Sequence, residues 1–131
     1  MVKDIVSNIR GLILIATAIS TEGNTVGNSV DTADFGEGLA LMAYAPTGWS
    51  GSSVLTAEES DDNATFTPVA ADKYIGSATV TQSTEGDPMV KVGLFSTKRY
   101  IRPVMVTTFG EGDTGGDVGV IAIQCGEYQP V

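Results

Sequence analysis

From residue 24 onward the sequence is a succession of short apolar runs, each closed by Gly, Pro, Asn, Asp or Ser, at spacings of about ten residues. This rhythm constrains the fold more than any other feature, because a helix needs an unbroken 3.6-residue period over several turns and no run here sustains one. The residue choice agrees. With 14 Val, 9 Ile and 15 Thr against 6 Leu, the chain favours side chains that lose rotamer freedom on a helix and pack well on a pleated surface. The pattern predicts strands over residues 29–35, 39–45, 53–59, 65–69, 76–82, 90–95, 100–108 and 118–125, with a helical turn at 71–74. Residues 46–51, 60–63 and 83–87 carry turn chemistry, and the Gly-rich stretch 110–116 reads as a flexible loop. The run Leu39–Ala45 is continuous rather than alternating, the mark of a strand covered on both faces. Residues 90–95 and 100–108 read as a hairpin joined by Ser96–Arg99. Pro103 lies inside its second strand and points to an edge strand or a bulge, because proline has no N–H to give a ladder. Together these features predict an all-β, antiparallel two-sheet β-sandwich, for which jelly-roll and immunoglobulin-like topologies both fit.

Residues 1–24 read as an extended N-terminal arm and first strand, and residues 25–131 as the sandwich, in one domain. Val2, Ile5, Val6, Ile9, Leu12 and Ile13 recur at helical spacing and allow a short amphipathic turn, whereas residues 12–19 read as a strand or arm ended by the turn cluster Ser20–Asn24. Lys3 and Arg10 before the run Gly11–Ile19, with Ala16-Thr17-Ala18 inside it, imitate a secretion signal. Asp4 and Ser7-Asn8 break the basic region, and the apolar run is far short of the ~20 residues that span a bilayer, so the segment is read as part of the fold.

Length and charge bound the function. A chain of 131 residues is enough to bury roughly two-thirds of its unfolded surface around one core. Seven basic against 16 acidic side chains give a net charge of −9, and that field repels phosphate, so neither nucleic acid nor an anionic membrane is an expected partner. There is no histidine, which removes the commonest general base and zinc ligand. The single Cys125 cannot form an internal disulfide and sits in an apolar run, where a buried thiol is the ordinary outcome. The expectation is a protein that is not an enzyme and carries no cofactor or metal.

The remaining candidate chemistry is weak when weighed residue by residue. Glu58, Glu59, Asp61 and Asp62 cluster, but without the spacing of a calcium loop, and Ser60-Asp61-Asp62-Asn63 is a good turn in its own right. Gly110-Glu111-Gly112 lacks the Lys-Ser/Thr of a phosphate loop and places acids where an anion would sit. Asn63-Ala64-Thr65 is formally a glycosylation sequon, a pattern that recurs by chance. One asymmetry stands out: Lys91, Lys98, Arg99 and Arg102 lie within twelve positions, and no basic residue follows them. They form either a positive stripe for a charge-complementary partner or a set of partners for carboxylates of the same domain.

The order Ser60-Asp61-Asp62-x-x-x-Phe66-Thr67-x-Val69, then Val92-Gly93-Leu94-Phe95-x-x-Lys98-Arg99-Tyr100-Ile101-Arg102, then the strand Val118–Ile123 and a closing Pro130-Val131, resembles a family of small tailed-bacteriophage head decoration, or cement, proteins. The opening Lys3-Asp4-Ile5-Val6-Ser7-Asn8-Ile9 is similar to the start of such chains. Pro103, the Gly-rich loop and the ending Gly126–Val131 depart from their pattern. The resemblance implies a jelly-roll-like sandwich made in the host cytoplasm and placed on the outer surface of the capsid. It further implies the major capsid protein as partner and a homo-oligomer, dimer or trimer. On that reading Ile5, Ile9, Arg10, Trp49, Lys98 and Arg99 are the candidate partner contacts. The alternative is a carbohydrate- or surface-binding β-sandwich module, although one Trp and 7% aromatic residues are few for a sugar platform.

Overall fold

Two antiparallel sheets face each other across the inward halves of the alternating runs. A computed structural model describes residues 9–34, 39–45, 49–75, 80–83, 89–95 and 97–125. In chain order the strands are β1 (Ile9–Ile19), β2 (Gly23–Val26), β3 (Val30–Asp31), β4 (Leu39–Tyr44), β5 (Ser52–Ser60), β6 (Thr67–Pro68), β7 (Tyr74–Ile75), β8 (Val80–Ser83), β9 (Met89–Leu94), β10 (Tyr100–Thr108) and β11 (Gly116–Cys125). One sheet runs β1-β11-β4-β9-β7. The other centres on β10 and β5: β2 and β3 both pair with one edge of β10, and β6 and β8 both pair with β5.

Counted as one interrupted strand each, β2/β3 and β6/β8 reduce the pattern to eight strands with β7 added at an edge. The first sheet then holds the first, eighth, third and sixth, and the second holds the second, seventh, fourth and fifth. This is the jelly-roll arrangement, and it resolves the choice that the sequence pattern leaves open. Leu41, Val92, Val120 and Ala122 from the first sheet meet Leu55, Ile101 and Met105 from the second. A buried Ser53–Thr107 hydroxyl pair, 2.8 Å apart, satisfies itself between β5 and β10.

Both interruptions have a local cause. Pro103 sits in the centre of a sheet, not at an edge, and the neighbouring strand yields instead: β2 ends at Val26, β3 begins at Val30, and Gly27 N–H donates to the Pro103 carbonyl at 2.9 Å. No ladder donor is lost, because the chain opposite the proline is already leaving the sheet. Only glycine fits at position 27, where a Cβ would lie 2.6 Å from Pro103 Cγ and 2.7 Å from Ile15 Cγ1. The register of β1 slips between Ile13 and Ile15, so Leu14 is a bulge, and its carbonyl accepts from Asn28 N–H at 2.9 Å. This bulge ties the two sheets along one seam. At the other gap, between β6 and β8, the Tyr74 hydroxyl accepts the Ala57 N–H at 3.0 Å.

Several expectations change. Residues 90–95 and 100–108 do not form a hairpin: β9 and β10 belong to opposite sheets, and the segment between them crosses from one to the other. Each strand has an apolar inner row, and the two rows face each other instead of lying side by side. Residues 9–19 form a strand paired along its length with β11, and neither a free arm nor a helical turn; the rest of the predicted arm, residues 1–8, lies outside the described residues. Of the predicted strand 29–35, the described residues 29–34 supply only the short β3 and a 3-10 turn, while β2 forms partly within the predicted turn cluster. The Gly-rich segment 110–116 is pinned, not flexible. Gly110 N–H donates to Asp113 Oδ2 at 2.7 Å, and Gly115 exchanges two backbone hydrogen bonds with Ser50. Gly115 has φ +76°, and a Cβ there would overlap the Ile19 carbonyl.

Candidate interaction surfaces

Most charged side chains of the sequence motifs converge where β3, the end of β5 and the start of β10 meet, and there they hold one another. The buried Glu59 carboxylate accepts Lys73 Nζ and the Lys98 N–H, each at 2.9 Å. Burial pushes its pKa up, but Lys73 and the Lys98 amide outweigh it and hold the carboxyl below the usual range. Arg99 forks onto Asp31, Nε to Oδ1 at 3.1 Å and the terminal nitrogen to Oδ2 at 2.9 Å, which lowers the Asp31 pKa. Arg102 donates to Glu58 Oε1 at 2.8 Å while its guanidinium lies 4.0 Å from the Phe66 ring centroid. Asp62 Oδ1 accepts the N–H groups of Thr65 and Ala64 at 2.9 and 3.0 Å and the Ser60 hydroxyl at 2.8 Å, and these donors hold its pKa at about 2. The Ser60-Asp61-Asp62 motif is thus a self-capped turn whose key carboxylate oxygen is already occupied by the chain. Among the described residues, no three His, Cys, Asp or Glu side chains converge as a metal site requires.

The candidate partner contacts are dispersed. Ile5 lies outside the described residues, and the backbones of Ile9 and Arg10 pair with Cys125 and Gln124 in the sheet. Trp49 is a correction: at 2% exposure it is a core residue, set edge-on to Phe109 with ring centroids 6.5 Å apart, and offers no anchor to a partner or platform to a sugar. A large apolar ring in a short loop over an open sandwich end gains more by plugging that end than by facing water. Lys98 reaches Asp61 at 3.5 Å, so Lys98, Arg99 and Arg102 all have carboxylate partners within the domain. Lys91 stands apart from them on β9, in the other sheet, and the positive stripe dissolves.

The surface that sequence reasoning missed is the outer face of the β1 sheet. Register places Ile13, Ile121, Met42 and Lys91 in one row across it. The next row is Ala16, Gly119, Tyr44 and Met89, and on the other side lies Gly11, Ile123, Ala40, Gly93 and Ile75. Ile13 is 70% exposed, Ile75 61%, and Tyr44 and Met89 about half. Beside Tyr44 the small side chains of Ala16 and Ala18, with Gly119, leave a depression of about 380 Å³ that ends at Asp117. An antiparallel sheet with one face in water ordinarily alternates apolar and polar; here both faces are apolar, and Lys91 and Asp117 are the charged side chains of the described outer rows. The signal was present in Leu39–Ala45, whose continuous run predicts a strand covered on both sides. The described residues cover only one.

No protein-family model and no curated protein matches the sequence. Among solved structures the chain is similar to the PBSX exported protein XepA, with a TM-score of 0.60 and 19% identity, over 93% of this chain and 39% of that one. The chain therefore spans about two-fifths of XepA's length, and the likeness supports the all-β sandwich as a fold.

Proposed function

We propose that this protein is a structural component of a tailed-phage particle, a decoration protein that binds the outer surface of the assembled head and stabilises it. The observation that carries this reading is the apolar outer face of the β1 sheet, which the described residues leave uncovered, as a surface that joins an assembly would be. The resemblance of residues 60–69 and 92–102 to cement proteins supports it, as does the likeness in fold to an exported protein of phage PBSX. On this reading the protein performs no chemistry. It binds the assembled shell in preference to free capsid subunits, so mass action stabilises the assembled state, and several copies held together multiply the effect by avidity. The major capsid protein is the partner, with the N-terminal segment through Arg10 as the element that meets the shell. The test is to add purified protein to heads that lack it. Saturable binding, density on the outer surface by electron microscopy and a raised disruption temperature are expected. Heads that neither bind the protein nor gain heat resistance from it would refute the reading.

A further inference from the structure

We propose that the outer face of the β1 sheet is a homotypic interface, occupied by the same face of a second copy related by a two-fold axis near Tyr44. The proposal deepens the reading above by naming the surface through which copies join, and its main readout, the mass of the purified chain, needs no heads, so the two fail separately.

Size comes first. Five strands about 4.8 Å apart, with outer rows spread over some 25 Å along the strands, give a face on the order of 600 Å². That approaches the ~800 Å² per partner of a standard stable interface, and it lies at the upper end of the roughly 300–600 Å² that a lone protein commonly leaves as its largest apolar patch.

Charge decides between occupants. The chain carries −9, so two copies repel over most of their surfaces. On this face the described charges are one of each sign, Lys91 on β9 and Asp117 on β11, both exposed. They lie two strands and two outward rows apart, and Tyr44 on β4 sits at the midpoint between them. A two-fold axis in the plane of the interface through Tyr44 therefore sets Lys91 of each copy against Asp117 of the other, making two symmetric ion pairs. With ordinary strand and residue spacings the same operation brings Met42 of one copy over the depression formed by Ala16, Ala18 and Gly119 of the other. An unbranched, flexible side chain facing a shallow hole is well matched. The strands of the two copies cross steeply, in the orthogonal class of sheet packing.

Sedimentation equilibrium of the purified chain from about 1 to 100 μM tests this, with dimer expected to dominate well below the top of that range. Lys91→Asp is expected to weaken dimerisation at least tenfold, and adding Asp117→Lys to restore it to within about threefold, because the pair is re-formed with its signs exchanged. Ile121→Asp is expected to leave monomer throughout, with far-ultraviolet circular dichroism unchanged. A wild-type chain that stays monomeric at 100 μM overturns the proposal, as does a dimer indifferent to all three variants. A monomeric wild type whose Ile121→Asp variant loses binding to heads would also overturn it, assigning the face to the shell.

Discussion

The two outer faces of this sandwich answer the same problem in opposite ways. On the β10 sheet, outward side chains are tied to neighbours: Arg102 to Glu58 and Phe66, and the Thr56 hydroxyl to the Val104 carbonyl at 2.9 Å. On the β1 sheet, Ile13, Ile121, Met42, Tyr44 and Ile75 face outward with no such partners over them. One face is largely tied by its own side chains, with Val26 and Val106 left exposed on it, whereas the described residues leave the other open. Substitutions on the first should register as stability and on the second as association, since an apolar side chain left half in water contributes little to folding.

That contrast can be broken in four places. The largest effect on stability is expected at the seam that holds the faces back to back. Gly27→Ala forces a methyl against Pro103 and Ile15, and should lower unfolding free energy by about 2–3 kcal/mol in urea titration. Next is Glu59→Ala, which strands Lys73 and the Lys98 amide, at about 1–3 kcal/mol by the same measurement. Arg102→Ala, on the self-satisfied face, should cost about 0.5–1 kcal/mol and leave association untouched in sedimentation. Ile13→Asp, on the open face and 70% exposed, should lower the unfolding free energy of the monomer by no more than about 0.5 kcal/mol. A loss there as large as that of Glu59→Ala would mean that the monomer itself depends on this face, and the contrast would fail.

Acid sharpens the same division. Asp62 titrates at about 2 in the folded chain against an ordinary 3.8, and Asp31 and Glu59 are also depressed. A carboxyl with a lowered folded pKa contributes stability that is complete above its unfolded pKa and is lost as pH falls through the folded one. Stability should therefore fall from about pH 4 towards pH 2, and the fall should be shallower in Asp62→Asn, as read from urea midpoints across that range.

The class of fold was legible because its cause is local. β-branched runs closed by turn residues specify strands wherever they occur, and β4, β5, β9, β10 and β11 lie where those runs predict them. Two-residue strands such as β3 and β6 were blurred, because they exist only through their partners on β10 and β5. The apparent hairpin of β9 and β10 failed for a related reason: adjacency in sequence and alternating burial fit a sheet-to-sheet crossing as well as a turn within one sheet. Of the candidate site, the basic residues were visible but their carboxylate partners were not, since Asp31 and Arg99 lie 68 positions apart.

The sequence by itself determined that this is an anionic, histidine-free chain of short strands with one run, Leu39–Ala45, apolar on both sides. Composition and period are properties of neighbouring residues and need no fold to be read. Tertiary structure decided which strands share a sheet, that Trp49 plugs the core, that Arg99 and Arg102 are already paired, and that β4 lies between β11 and β9 with its outer row left open by the described residues. Those facts depend on contacts between residues far apart in the chain, and only packing the two sheets together brings such residues within reach of one another.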